Sequence, residues 1–172
     1  MKEEKLWNSN YIKVWLANFM IFFSFMLVTP LLPIYLSETF AADKHVIGVV
    51  LSGYTLTALL VRPFSGFIVD SYPRKQVLLI CFFLMFIFFA GYLVAGSLLL
   101  FAIVRTLHGA PFGATTVANS TVAIDVLHPS RRAEGIGYYG LSNNIATAIS
   151  PSVSIYLYQL THNFDLIFVI SM

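Results

Sequence analysis

The chain has 172 residues, of which 58% are hydrophobic and only 10% charged, with a mean hydropathy of +0.81 and a formal net charge of +2. A soluble domain averages about 25% charged residues, so an ordinary water-soluble globule is excluded. The small net charge implies no nucleic-acid partner, and a single cysteine, Cys81, excludes an internal disulfide framework.

Four runs, 14–37, 76–104, 106–124 and 135–164, contain no Asp, Glu, Lys or Arg. A membrane-spanning helix needs about 20 apolar residues, and each run supplies all or most of one. In chain order the pattern predicts spans over about 14–36, 46–69, 76–95, 98–124 and 135–160, then the beginning of a sixth over 164–172. The first run is too long for a signal-peptide core and lacks a small-residue cleavage site, so it is read as retained. Pro30 and Pro33 interrupt that first span. Pro73 and Pro129 mark two charged turns, and Gly96-Ser97 breaks the third span from the fourth. The runs are continuous rather than alternating, which rules out a β-barrel. The expected fold is all-α, a polytopic membrane helix bundle embedded in a lipid bilayer. No metal-ligand spacing is present and no cofactor is implied.

Bases set the expected orientation. Lys2, Lys5 and Lys13 precede the first span, Arg74 and Lys75 follow the second, and Arg131 and Arg132 follow the fourth. The alternate loops hold only Lys44. Lys and Arg collect on the cytoplasmic side, so the N-terminus is expected inside.

Two bases remain within spans. Arg62, Gly66 and Asp70 lie on one stripe of the second helix at i, i+4, i+8, and Arg62 either snorkels to the surface or has a functional role. Arg105 sits about two turns into the fourth span. His108, Thr116 and Asn119 fall within about 60° of it on a helical projection, with Leu107, Ala114, Val117 and Ala118 opposite. A polar stripe on an apolar helix is expected to face a water-filled cavity, the alternative being a hydrogen-bond network between helices. Pro111 interrupts the same helix and strips the Leu107 carbonyl of its partner. On the fifth span Gly137, Gly140, Asn144, Thr147, Pro151 and Ser154 share a stripe where another helix could approach closely. Asn143 and Asn144 are costly there unless something satisfies their amides.

These motifs resemble the major facilitator superfamily, and the resemblance covers the whole chain as that family's N-terminal half. Residues 66–75 read GFIVDSYPRK. Gly66, Asp70, Arg74 and Lys75 match the family's motif between its second and third helices, while Ser71 and Pro73 replace a base and a glycine. Arg105-Thr-Leu-His108-Gly109 resembles the fourth-helix Arg-x-x-Gln-Gly motif, with histidine for glutamine. Asp125 and Pro129-Ser-Arg131-Arg132 look like the second cytoplasmic turn. Gly137 and Pro151 match a proline-containing fifth-helix motif of exporters, but Ala146, Ser150, Ser154 and Ile155 stand where glycines are expected.

The resemblance implies secondary transport of a small molecule by alternating access, with efflux of drug-like or sugar-like solutes as the expected direction, in a bacterial inner membrane. It implies a cytoplasmic gate at Gly66, Asp70, Arg74, Lys75, Asp125, Arg131 and Arg132, in which Arg74 pairs with Asp125 and Asp70 faces the positive end of a helix in the other half. Arg105, His108, Thr116, Asn119 and Asn144 would serve the cavity, substrate or coupling ion, and Gly109, Gly113, Gly137 and Pro151 would serve helix packing. The first span has no carboxylate between Lys13 and Glu38. Either His108 takes part in proton coupling, or the acid lies in the other half, or coupling is not to protons. The competing classes are a structural or assembly subunit and an intramembrane enzyme, the latter lacking converging catalytic groups. The final nine residues, 164–172, would span only about 12–14 Å against a core of about 30 Å. The expectation is therefore an N-terminal fragment of a chain of roughly twelve spans, whose C-terminal half is its partner.

Overall fold

The computed structural model describes residues 5–172; Lys2, counted above among the N-terminal bases, lies outside them. Every regular element in these residues is helical. Helix α1 is Ser9–Val28, followed by a 3₁₀ turn, Thr29–Leu31, and α2, Leu32–Phe40. Then come α3, Lys44–Ser71; α4, Arg74–Val94; and α5, Leu98–Asp125. A second 3₁₀ turn, Pro129–Arg131, leads to α6, Arg132–Thr161, and α7, Phe164–Ile170.

Local chemistry accounts for most of the starts. The side chains of Asn8, Asp43, Ser97 and Asn163 accept hydrogen bonds from the amides of Tyr11, Val46, Leu100 and Leu166, which satisfies donors that a helix start leaves orphaned. Pro30 opens the turn between α1 and α2, and Pro33 stands in the first turn of α2, where its lost N–H costs nothing. Pro63, Pro111 and Pro151 lie inside helices that continue past them.

The surface identifies the solvent. Val94, Phe67, Leu99 and Phe64 are 76%, 74%, 72% and 69% exposed. So continuous an apolar exterior belongs in hydrocarbon rather than water. Four helical segments are long and apolar enough to cross a membrane: Ser9–Phe40, Lys44–Ser71, Arg74–Val94 and Leu98–Asp125. Helix α6 is also long enough, about 45 Å, but Gly, Ser, Asn and Tyr make it too polar to join them by hydropathy.

Two seams hold the bundle. In the first, α3 packs on α5 so closely that a Cβ added at Gly109 would overlap the Tyr54 carbonyl oxygen and lie 3.0 Å from the Ala58 amide nitrogen. At Gly113 it would lie 2.5 Å from the Ala58 carbonyl. Small residues let backbones approach where the hydrophobic effect supplies no drive. The second seam, α1 on α6, is polar. The Tyr11 hydroxyl donates to the Gly135 carbonyl, the Trp15 indole to Tyr138 at 2.8 Å, and the Ser154 hydroxyl to the Leu27 carbonyl. The seams meet through Phe25 of α1, which stacks on Phe112 of α5 at 4.6 Å and on Tyr54 of α3 at 5.2 Å.

Within the described residues α6 packs through a face that overlaps the expected stripe at Ser154. Its buried residues are Gly135, Ser142, Ala146, Ser150 and Ser154, centred roughly a third of a turn away. Gly137 and Gly140 meet open space, so neither lets another described helix in, and Pro151 is half-buried. The i+4 hydroxyl and alanine row decided the contact because its side chains bond across to α1 or fit against it.

Because the Gly109 and Gly113 gaps are filled by backbone, Gly109→Val or Gly113→Val should destabilise the protein by about 1–3 kcal/mol, the usual cost of overpacking. Thermal unfolding in detergent should show the loss, while Gly48→Ala, which points into open space, stays near the parent.

Candidate functional site

Charged residues gather at one end of the bundle. Arg74 is the first residue of α4, and its Nη1 donates to Oδ2 of Asp125, the last residue of α5. Each sits at the unfavourable end of its own helix dipole, a cation at an N-terminus and an anion at a C-terminus, so the pair offsets both mismatches. The Nη2 of Arg74 also lies 3.6 Å from Oδ1 of Asp70, whose side chain is 73% exposed. Arg131 donates to Glu134 from Nε at 2.9 Å and from Nη2 at 2.6 Å. Lys75 and Arg132 are exposed, and Gly66 has open space beside it. With this much water access the ion pairs position groups rather than supply stability.

The polar stripe of α5 does not open on a cavity. Arg105 is 2% exposed and His108 fully buried, enclosed by α1, α3 and α4. The Arg105 guanidinium carbon lies 4.0 Å from the Tyr54 ring centroid, 5.6 Å from Phe25 and 5.9 Å from Tyr92. Its Nη1 donates to the Tyr92 hydroxyl at 2.9 Å, which leaves the tyrosine's own proton for His108 Nδ1 at 2.6 Å. No acid pairs with Arg105 among the described residues; aromatic faces take that place. Arg105 Nε, His108 Nε2 and the Tyr54 hydroxyl have no partner there.

Asn119, expected beside Arg105, belongs to a second cluster. Its amide donates to the Tyr139 hydroxyl of α6 at 3.0 Å. Asn18 of α1 donates to Ser142 Oγ at 2.8 Å and to the Tyr139 carbonyl at 3.3 Å. The amide oxygens of Asn18 and Asn119 are both buried and unpartnered. Thr116 turns its hydroxyl back to the Gly113 carbonyl of its own helix at 2.8 Å. Asn144 is exposed on α6, away from both clusters. In place of the expected cavity, the described residues form two closed interhelical networks, in which Arg105 and His108 bond to Tyr92 of α4 and Asn119 bonds to Tyr139 of α6.

Asn18, Tyr54, Tyr92, Tyr139 and Ser142 join these networks without having stood out in the amino-acid order. Asn18 carried a usable signal as the only amide in the charge-free run 14–37. The tyrosines carried none, since their type is common at membrane edges as well as in cores. At the opposite end of the bundle the Tyr158 hydroxyl donates to Glu38 at 2.7 Å and ties α6 to α2. No three His, Cys, Asp or Glu among the described residues converge as a metal site would require.

Tyr92→Phe should leave Arg105 Nη1 and His108 Nδ1 unpaired inside the bundle and cost about 1–3 kcal/mol. The thermal midpoint in detergent should fall accordingly, whereas Tyr158→Phe at its exposed contact should move it little.

Comparison with known proteins follows the same lines. Residues 14–172 match the family model of the Major Facilitator Superfamily. The quinolone resistance protein NorA of Staphylococcus aureus is 20% identical over 161 residues, 94% of this chain and 41% of that protein. The uncharacterized MFS-type transporter YqjV of Bacillus subtilis is 25% identical over 127 residues, 74% of this chain and 31% of that protein. The chain therefore spans well under half the length of these relatives. An all-helical bundle with a lipid-compatible exterior and a family match across nearly its whole length place this chain in the major facilitator superfamily, as an integral membrane protein of a transporter family.

Proposed function

We propose that the chain is the N-terminal six-helix half of a secondary transporter that moves a small molecule by alternating access, exporting drug-like or sugar-like solutes across a bacterial plasma membrane. Family membership supports transport, and the coverage of 41% of NorA supports one half of a longer protein. The relative's name speaks of quinolone resistance, which favours export of drug-like molecules. In this reading α6 crosses the bilayer and α7 begins the sixth span, with the N-terminus cytoplasmic.

The observation that carries the mechanism is the charged end. Arg74 ties α4 to α5 through Asp125 and holds the exposed Asp70 carboxylate beside that tie. An anion so placed suits the positive N-terminal end of a helix from the second half, and Gly66, without a side chain, leaves room for its approach. Lys75, Arg131 and Arg132 mark the cytoplasmic side. The closed Arg105–Tyr92–His108 network supports the wall of the substrate path rather than lining it. Asn144, exposed on α6, faces the path, whereas the buried Asn119 supports its wall and Thr116 is half-buried. Protons remain the candidate coupling ion, with His108 or an acid of the second half as carrier.

Asp70→Asn in the full-length protein should reduce efflux by about tenfold or more at near-normal membrane abundance. Cellular accumulation of quinolones, cationic dyes and sugars would measure it. Full efflux by the variant would reduce the cluster to a topology signal. The swap Arg74→Asp with Asp125→Arg should recover part of the activity that either single change removes.

Orientation has its own check. With Cys81 replaced, cysteines at Asn8, Pro73 and Ser130 should be shielded from an impermeant thiol reagent in intact cells, and one at Ala42 should react. External labelling at Pro73 would overturn the arrangement.

A further inference from the structure

On the outer face of the bundle, α3 and α4 stand apart over α5 and leave a groove of about 650 Å³, a volume typical of ligand sites. Gln76, Ile80, Leu84 and Phe88 recur every fourth residue along α4 and form one wall. Val61 and Ile68 of α3 form the other, and Ala110, Pro111 and Ala114 of α5 make the floor. The walls are accessible from outside: Ile80 is 60% exposed and Ile68 41%.

Three features define the occupant. From Gln76 to Phe88 the groove runs about 18 Å along the helix axis, close to the depth of one leaflet in a hydrocarbon core of about 30 Å. Its polar lining comes chiefly at one end, where Tyr72 and Gln76 stand beside the exposed Lys75. The Arg74 charge there is shared between Asp70 and Asp125, while no acid pairs with Lys75 among the described residues. Lys75 is thus an ammonium without an ion-pair partner where lipid headgroups lie, while the charges of Arg74, Lys75, Asp70 and Asp125 together sum to zero. A packed helix is a poorer fit, because membrane helices associate through small residues and interhelical hydrogen bonds, and these rims are bulky and apolar.

We infer that the groove between α3 and α4 holds one acyl chain of a phospholipid, with the lipid phosphate at Lys75, Gln76 and Tyr72. The site lies outside the Arg105 and Asn119 networks, with Phe88 standing between the groove and the His108 ring, and does not depend on the direction of transport.

The test is photolabelling of the purified protein in vesicles of phosphatidylglycerol carrying a diazirine in one acyl chain, with adducts mapped by mass spectrometry. Ile80, Leu84, Phe88 and residues 107–114 should carry about tenfold more adduct than Leu79, Phe83 and Phe86, which are exposed on the other side of α4. Ala114→Trp should abolish groove labelling while labelling of Leu79, Phe83 and Phe86 persists, which also reports an intact fold. A diacylglycerol with the same reactive chain should label the groove several-fold less, and Lys75→Glu should bring phosphatidylglycerol down to that level. Equal labelling of groove and face would mean bulk lipid contact and would overturn the inference. So would an unlabelled groove, the result if a helix of the full protein or a second copy covers it. Equal labelling by diacylglycerol would overturn the placement of the phosphate.

Discussion

A guanidinium inside a membrane has no water to turn to, and Arg105 is the group around which this bundle must arrange itself. Placing an arginine at the centre of a spanning helix costs about 2.5–3.5 kcal/mol on insertion scales. A desolvated ring contact returns about 2 kcal/mol and a charged hydrogen bond about 1.5–3 kcal/mol, enough to hold the residue without a carboxylate. The ring of Tyr54 and the hydroxyl of Tyr92 do this from α3 and α4, and His108 keeps Tyr92 aimed. Three helices are thereby brought to fixed rotations about their axes. The close glycine seam between α3 and α5 follows, since Gly109 lies one turn from Arg105 and faces the backbone of Tyr54.

The second seam obeys the same constraint with neutral groups. Helix α6 is too polar to sit comfortably in lipid on every side, and it turns Ser142, Ser150 and Ser154 inward. Ser154 donates to the Leu27 carbonyl of α1, Ser142 accepts from Asn18, and Ser150 bonds back to the Ala146 carbonyl of its own helix, bonds that hydrocarbon cannot replace. What is left outward on α6 includes Gly137 and Asn144, a smooth and partly polar surface unlike the phenylalanine-rich faces of α3 and α4. A face of that kind suits a protein neighbour or a wet path better than lipid chains.

The interior and the ends therefore have different mechanical characters. Inside, aromatic packing and charge-assisted bonds are shielded from water and tie the helices to one another. At the Arg74–Asp125–Asp70 end the pairs are accessible to water and salt, and they can exchange partners at small cost. The alternating-access function proposed for this chain would call for such a division, stiff inside with a breakable edge.

Much was legible in the amino-acid order alone. Charge-free runs of spanning length, with proline and glycine at their breaks, are local features, so helix positions could be read directly from them. The 66–75 motif was equally plain, being contiguous. Rotation of each helix was another matter. A helical projection grouped Arg105, His108, Thr116 and Asn119 on one face, yet the first two meet α4, Asn119 meets α6, and Thr116 bonds to its own helix. On α6 it selected a stripe centred a third of a turn from the one that packs. Periodicity states which residues share a side, whereas the neighbour on that side depends on how helices distant in sequence cross. Only the tertiary structure could therefore show that Tyr54 and Tyr92 solvate Arg105, because residues about 50 and 13 positions away carry no mark of it in the chain.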